Sequence, residues 1–114
     1  METIIKTRIL AGFAYAQIEA HDTSKRFGYW EKERNIHEVF ALIHRDAAKA
    51  LEVITLGDGP SEQLKDCTRG EEELADVIIR ILDVAEGKGL HIGPALIAKM
   101  EYNEQLSRAL RKDY

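Results

Sequence analysis

The sequence predicts an all-α protein, a four-helix bundle in a single domain that spans residues 1–114. Apolar residues recur three and four positions apart in four separate segments, which is the helical period. Only two prolines interrupt a chain rich in Ala, Leu, Ile, Glu, Lys and Arg, which are good helix formers. No segment alternates apolar and polar residues as a strand would. At 114 residues the chain is long enough to bury a core without disulfides.

Charge and composition limit the possible partners. The net charge is −4, from 16 basic against 20 acidic residues, and there is no basic block. We therefore expect no non-specific binding to nucleic acid. The single cysteine, Cys67, excludes an internal disulfide and fits a reducing compartment. No apolar run is long enough for a signal peptide or a membrane span, so we expect a cytoplasmic protein that does not bind membranes.

The first predicted helix runs from about residue 3 to residue 20, with Ile5, Ile9 and Phe13 on one face. Its end is open, because the segment 21–24 can cap the helix, form a turn or continue it. The sequence Gly-Tyr-Trp at 28–30 closes this segment.

The second predicted helix begins after Asn35, an N-cap residue that is followed three positions later by Glu38, as in a capping box. It runs to about Thr55. Asp46 borders its apolar face, so one acid is expected close to the core. That face consists of Ile36, Val39, Phe40, Ile43, Ala47, Ala50, Leu51 and Ile54.

Glycine and proline mark a loop at 56–69, and Thr68 with Glu71 predicts a second capping box at the start of the third helix. Glycines at 87, 89 and 93 end that helix. Gly93 and Pro94 then open the fourth helix, with Pro94 expected at the first helical position. The apolar stripe of the fourth helix is Leu96, Met100, Leu106 and Leu110.

The third helix carries the residues that most strongly indicate a functional site. Its apolar residues cover roughly 220° of the helix circumference, so we expect it to be buried on more than one side. Glu73, Asp76, Arg80 and Asp83 fall within about 80° of the remaining surface. Charged side chains on such a helix are rarely buried unless they are paired or hold a metal ion.

Paired carboxylates one helical turn apart point the same way, and two such pairs on adjacent helices can hold Mg²⁺ through hard oxygen ligands. Glu73 and Asp76 supply one pair. The second helix supplies Asp46 and then Lys49, which cannot bind a metal. We predict Asp46, Glu73 and Asp76 as candidate ligands of a divalent cation such as Mg²⁺. The alternative is that the acids form a solvated surface stripe.

Four further residues are candidates for binding substrate. Lys99 and Asn103, four positions apart, can hold phosphate oxygens, or they are a snorkelling lysine and a polar boundary residue. Trp30 can stack on a base, although an aromatic residue at a helix junction more often belongs to the core. Arg80 lies beside the acids and is a further candidate.

With these residues in view, the chain resembles MazG-like members of the all-α NTP pyrophosphohydrolase superfamily. The resemblance extends from about Lys25 to Asn103. It rests on the segments 25–30, 41–44, 50–52, 73–83 and 99–103.

The resemblance implies a helical bundle of the all-α NTP pyrophosphatase type, assembled as a homodimer or homotetramer. It also implies Mg²⁺-dependent cleavage of a nucleoside triphosphate between its α- and β-phosphates, giving the monophosphate and pyrophosphate. By resemblance Asp46, Glu73 and Asp76 are catalytic residues that hold Mg²⁺ or Mn²⁺. Glu73 and Asp76 match the family's metal ligands, and Asp46 stands at the first glutamate of its other acidic motif. Lys99 and Asn103 match phosphate-side positions.

Two positions depart from the family pattern. Lys49 stands where the second glutamate of the first acidic motif is expected, and Leu106 stands where the family often has an arginine. The first departure predicts weaker metal binding. The alternative function is therefore a catalytically degenerate relative that binds nucleotide or a protein partner.

Overall fold

The computed structural model describes residues 1–110 and confirms an all-α chain with four helices. They are α1 (Thr3–Arg26), α2 (Ile36–Gly57), α3 (Arg69–Gly87) and α4 (Ile92–Leu110). In this part of the chain β-pairing is limited to an isolated bridge between Pro60 and Thr68. Helix α3 packs against both α1 and α2, and α4 packs on α1, so the spatial order is α2, α3, α1, α4. None of the described helices combines the length and apolarity needed to cross a bilayer.

Helix α1 continues to Arg26, through the segment 21–24 for which the sequence left a cap, a turn or a continuation open. Tertiary contacts hold the extra turns: His21 Nδ1 lies 2.9 Å from Asp83 Oδ1 of α3. The hydroxyl of Ser24 accepts a hydrogen bond from the Trp30 indole at 3.1 Å. The chain then leaves the helix at Gly28, whose φ of 88° is a conformation that favours glycine.

Both predicted N-caps of the central helices are present. The Asn35 side chain accepts hydrogen bonds from two backbone amides of the first turn of α2. Thr68 and Glu71 form the complete capping box of α3. A hydrogen bond connects the loop before α3 to the start of this helix. Asp58 Oδ1 accepts it from the Gly70 amide at 2.7 Å.

Helix α4 begins at Ile92, so Pro94 is its third residue and the predicted first position was wrong by two residues. The reason lies on α1. The buried side chain of Gln17 accepts from the Ile92 amide through Oε1 and donates to the Leu90 carbonyl through Nε2, both at 3.0 Å. A residue of α1 therefore caps the start of α4 and holds the preceding turn.

The buried apolar core of one chain is small. It consists of Val39, Ala50, Leu82, Val84, Ala85 and Ile97. Helix α3 contacts two helices, yet Leu74, Ile78 and Ile79 remain about half exposed. The predicted core face of α2 is likewise only partly covered, since Phe40, Leu51 and Ile54 are exposed. Much of the apolar surface that the sequence assigned to the interior therefore lies at the surface of the chain.

Candidate functional site

Asp46 lies in the contact between α2 and α3, and two arginines hold it there. Its side chain is buried, with 3% of the residue exposed. Oδ2 accepts a hydrogen bond from Arg80 Nε of α3. Oδ1 accepts from Nε and Nη2 of Arg45 at 3.2 and 3.1 Å. A carboxylate in such a buried position is stable only when it is compensated in this way.

These contacts fix the charge of Asp46. Burial on its own raises the pKa of Asp46, because it penalises the ionised form. The hydrogen bonds and positive charges of Arg80 and Arg45 outweigh burial and hold this pKa below the ordinary value of 3.8. Asp46 is therefore an anion at neutral pH, and both of its oxygens are already occupied by arginine donors.

The Glu73 carboxylate has fewer hydrogen-bond partners than the Asp46 carboxylate. Its side chain is 18% exposed, and Oε2 is buried without a hydrogen-bond partner. The ammonium of Lys49 lies 4.0 Å from this oxygen, which is too far for a hydrogen bond. Lys49 and Glu73 line a cleft of about 250 Å³, together with Arg69 at the start of α3. An unpaired buried carboxylate oxygen keeps its capacity to accept a hydrogen bond or to bind a cation.

Asp76 lies one turn after Glu73, but it borders a different cleft. Its side chain is exposed, and the cleft of about 230 Å³ between α1 and α3 is also lined by Arg34, Arg80 and Tyr29. Among residues 1–110 no group of three or more histidine, cysteine, aspartate or glutamate side chains is arranged to hold a metal ion. Asp46 and Glu73 thus lie at the contact between α2 and α3, Asp76 borders the cleft between α1 and α3, and the three acids do not converge on one point.

Trp30 is held inside a polar junction. Its indole nitrogen donates to Asp83 Oδ1 at 2.9 Å, and its ring packs so closely on Gly87 that a Cβ there would lie 2.3 Å from a ring atom. The His21 ring meets it edge-on, with 4.8 Å between centroids. These contacts match the interpretation of Trp30 as a packing residue at a helix junction.

Asp83 is the centre of that junction, a role the sequence pattern did not reveal. The residue is buried, and besides Trp30 and His21 it binds Arg34, whose Nη1 donates to Oδ2 at 2.9 Å. The available signal was its position in the narrow charged stripe of α3. Periodicity gave no indication of its partners, because they come from α1 and from the connector after it.

The two predicted phosphate-binding residues of α4 lie apart from the acids. Lys99 is exposed, and its ammonium lies 4.8 Å from the centre of the Tyr102 ring. Asn103 is half-buried on the same helix. Because α4 packs on α1, neither residue lines the cleft beside Glu73 or the cleft beside Asp76.

Arg80, the remaining candidate for substrate binding, contacts both Asp46 and the cleft beside Asp76. Its Nε is bound to Asp46, while its side chain lines the cleft of Asp76. A comparison of the chain with protein-family models, with curated proteins and with solved structures found no match.

Proposed function

We propose that the chain is a nucleoside triphosphate pyrophosphohydrolase that cleaves between the α- and β-phosphates, giving the monophosphate and pyrophosphate. One observation carries this proposal: a carboxylate oxygen of Glu73 is buried without a donor, one helical turn from the exposed carboxylate of Asp76. A negative oxygen in this position is the kind of ligand that a hard divalent cation requires.

The residues fit Mg²⁺ or Mn²⁺ in part. Glu73 and Asp76 are the residues that would hold the ion, although they border different clefts in this structure. Asp46 is held by two arginines and leaves no free oxygen to offer. A divalent ion in this place would neutralise phosphate charge and lower the pKa of a bound water. Lys49 cancels one negative charge next to Glu73, which supports weak metal binding.

Positive side chains at the two clefts would position the phosphates. Arg34 and Arg80 line the cleft of Asp76, and Lys49 and Arg69 line the cleft of Glu73. Guanidinium groups bind phosphate oxygens in a bidentate manner and fix their direction. Lys99 and Asn103 of α4 line neither cleft. They would contact a phosphate bound there only if they came from a second copy of the chain or if α4 moved. Assembly as a homodimer or homotetramer is accordingly part of this proposal.

The test is pyrophosphate release from a panel of canonical and modified nucleoside triphosphates, with Mg²⁺ or Mn²⁺. Glu73→Gln keeps the shape of the side chain and removes its charge. We expect roughly a 100-fold loss of turnover, since a lost ligand removes several kcal/mol of charge stabilisation. Glu104→Gln is the matched control, because Glu104 forms only an exposed ion pair with Arg108. Turnover of the wild type no higher than that of Glu73→Gln would reject the proposal.

A second candidate is a catalytically degenerate protein that binds nucleotide without metal. The ammonium of Lys49, 4.0 Å from the unpaired oxygen of Glu73, supports it, because it places a fixed positive charge beside the acid. The variant Lys49→Glu separates the two candidates. In a metal-dependent enzyme it raises metal affinity and turnover together. In a metal-independent binder it weakens nucleotide binding measured by calorimetry in the presence of a chelator.

A further inference from the structure

The cleft between α1 and α3 contains hydrogen-bond donors that have no acceptor among the described residues. It has a volume of about 230 Å³, and Arg34 and Arg80 both line it. Arg34 Nη1 donates to the buried carboxylate of Asp83. Arg80 Nε donates to the buried carboxylate of Asp46. The other nitrogens of both guanidinium groups make no hydrogen bond within residues 1–110, and none of them is buried. They are therefore accessible to a ligand.

The orientation of Arg34 is fixed from several sides. Its guanidinium carbon lies 5.3 Å from the centre of the Tyr29 ring and 5.4 Å from the centre of the Trp30 ring. Asp83 is itself held in place, because His21 Nδ1 and the Trp30 indole nitrogen both lie 2.9 Å from its other oxygen. A guanidinium group held in this way loses little side-chain entropy when it binds a ligand.

Two hydroxyl groups near the end of α1 add donors to the same cleft. Thr23 Oγ1 accepts a hydrogen bond from Arg26, and Ser24 Oγ accepts one from Trp30. Both hydroxyls belong to residues that line the cleft, and neither donates to a described residue. Two guanidinium groups and two hydroxyl protons match a ligand with several acceptor oxygens, such as a phosphate group.

One exposed acid opposes an anion in this cleft. Asp76 lines the cleft and is exposed, and it forms no ion pair among the described residues. Both oxygens of Asp83, by contrast, already accept hydrogen bonds. Removal of the Asp76 charge should therefore strengthen the binding of phosphate. A metal site predicts the opposite, because there Asp76 is a ligand of the cation.

We propose that the cleft between α1 and α3 is a binding site for a phosphate group, which Arg34 and Arg80 hold without a divalent ion. Asp83 and Asp46 are positioning residues, because each orients one of the two guanidinium groups. The volume is below the roughly 300–1,000 Å³ of sites for drug-sized ligands, so the cleft suits a phosphate group better than a whole nucleotide. The inference deepens the proposed function and rests on it only for the source of the phosphate, which is then one phosphate of the nucleotide.

Calorimetric titration of the full chain with inorganic phosphate, in the presence of a chelator, tests the proposal. We expect Arg34→Lys to weaken binding roughly tenfold, because lysine keeps the charge but lacks the planar fork. Asp76→Asn should strengthen binding roughly threefold by removing a like charge. Glu104→Gln, which removes one charge of an exposed ion pair on α4, is the control and should change the affinity less than about twofold. A wild type that binds no phosphate, or an Asp76→Asn variant that binds it more weakly, would overturn the proposal.

A double-mutant cycle tests the positioning role of Asp83. Asp83→Asn should weaken phosphate binding about as much as Arg34→Lys does. The two changes together should weaken it no further, because both act through the same guanidinium group. Additive losses would overturn the positioning role. If Asp83→Asn does not fold, the titrations of Arg34→Lys and Asp76→Asn still decide whether the site exists.

Pyrophosphate release from nucleoside triphosphates separates this inference from the proposed function. A chain that binds phosphate with the expected response to Arg34→Lys, but releases no pyrophosphate, would support the site and reject the hydrolase. A chain that releases pyrophosphate at the same rate with and without Arg34→Lys, and binds no phosphate in the chelator, would overturn the site and leave the hydrolase.

Discussion

At the scale of single residues, the contact between α2 and α3 combines one fully compensated acid with one uncompensated acid. Asp46 accepts from two arginines, whereas Glu73 has only a distant ammonium beside its buried oxygen. The first arrangement stabilises the fold, whereas the second leaves one buried carboxylate oxygen without a hydrogen-bond donor. Two acids that look equivalent in the sequence therefore lie in different environments.

The pH dependence of stability should reveal the role of Asp46. Its pKa in the folded chain is lowered, so its contribution is present above the ordinary value of 3.8 and is lost as the pH falls through the folded value. We expect Asp46→Asn to lower the free energy of unfolding by roughly 2–3 kcal/mol at pH 7. This loss is smaller than the loss from breaking a fully buried ion pair, because Arg80 is partly exposed. Urea unfolding at pH 7, 5 and 3 measures the difference.

The control for this prediction is Asp22→Asn, since Asp22 pairs with Lys25 at the surface. The loss caused by Asp46→Asn should shrink below pH 3.8, while Asp22→Asn should have little effect throughout. An equal loss from Asp46→Asn at all three pH values would contradict the assigned ion pair.

The sequence predicted the face on which each charged residue lies, but not its partner. Asp46 on the border of the apolar face of α2, and Arg80 in the charged stripe of α3, both agree with the structure. Their pairing depends on the position of α2 along the axis of α3. Hydrophobic periodicity identifies the face of each helix but not this relative position. The position of Trp30 at Asp83 could not be predicted for the same reason.

At the scale of helices, the predicted elements were correct in number and order, and the errors fall where tertiary contacts set the ends. The patterns at Asn35 and Thr68 fixed the starts of α2 and α3, because capping is local. The end of α1 and the start of α4 depend on Asp83 and Gln17, which are distant in sequence. Local signals therefore left the end of α1 open and misplaced the start of α4.

The attachment of α4 to α1 should depend on Gln17. Gln17→Leu leaves the Ile92 amide and the Leu90 carbonyl without their partner, and we expect a loss of about 2 kcal/mol in the free energy of unfolding. Hydrogen exchange should show faster exchange at the start of α4 than in α3. Gln105→Leu, at an exposed position of α4, is the control. Unchanged protection of α4 in Gln17→Leu would refute this role.

At the scale of the whole molecule, the small core and the large exposed surface predict that folding and association are linked. If the chain is stable mainly as a dimer, its melting temperature should rise with protein concentration, because association stabilises the folded state by mass action. Thermal melts over a hundredfold range of concentration measure this. A wild type whose melting temperature is constant over this range would contradict the linkage.

The junction around Asp83 has a practical consequence for such measurements. Trp30 is the only tryptophan of the chain, and its indole is bound to Asp83 beside the imidazole of His21. Intrinsic fluorescence therefore reports on one location, where α1, the connector and α3 meet. Release of α4 should leave the emission spectrum unchanged, whereas opening of this junction should shift it to longer wavelength. A single optical signal thus distinguishes release of α4 from opening of the contact between α1 and α3.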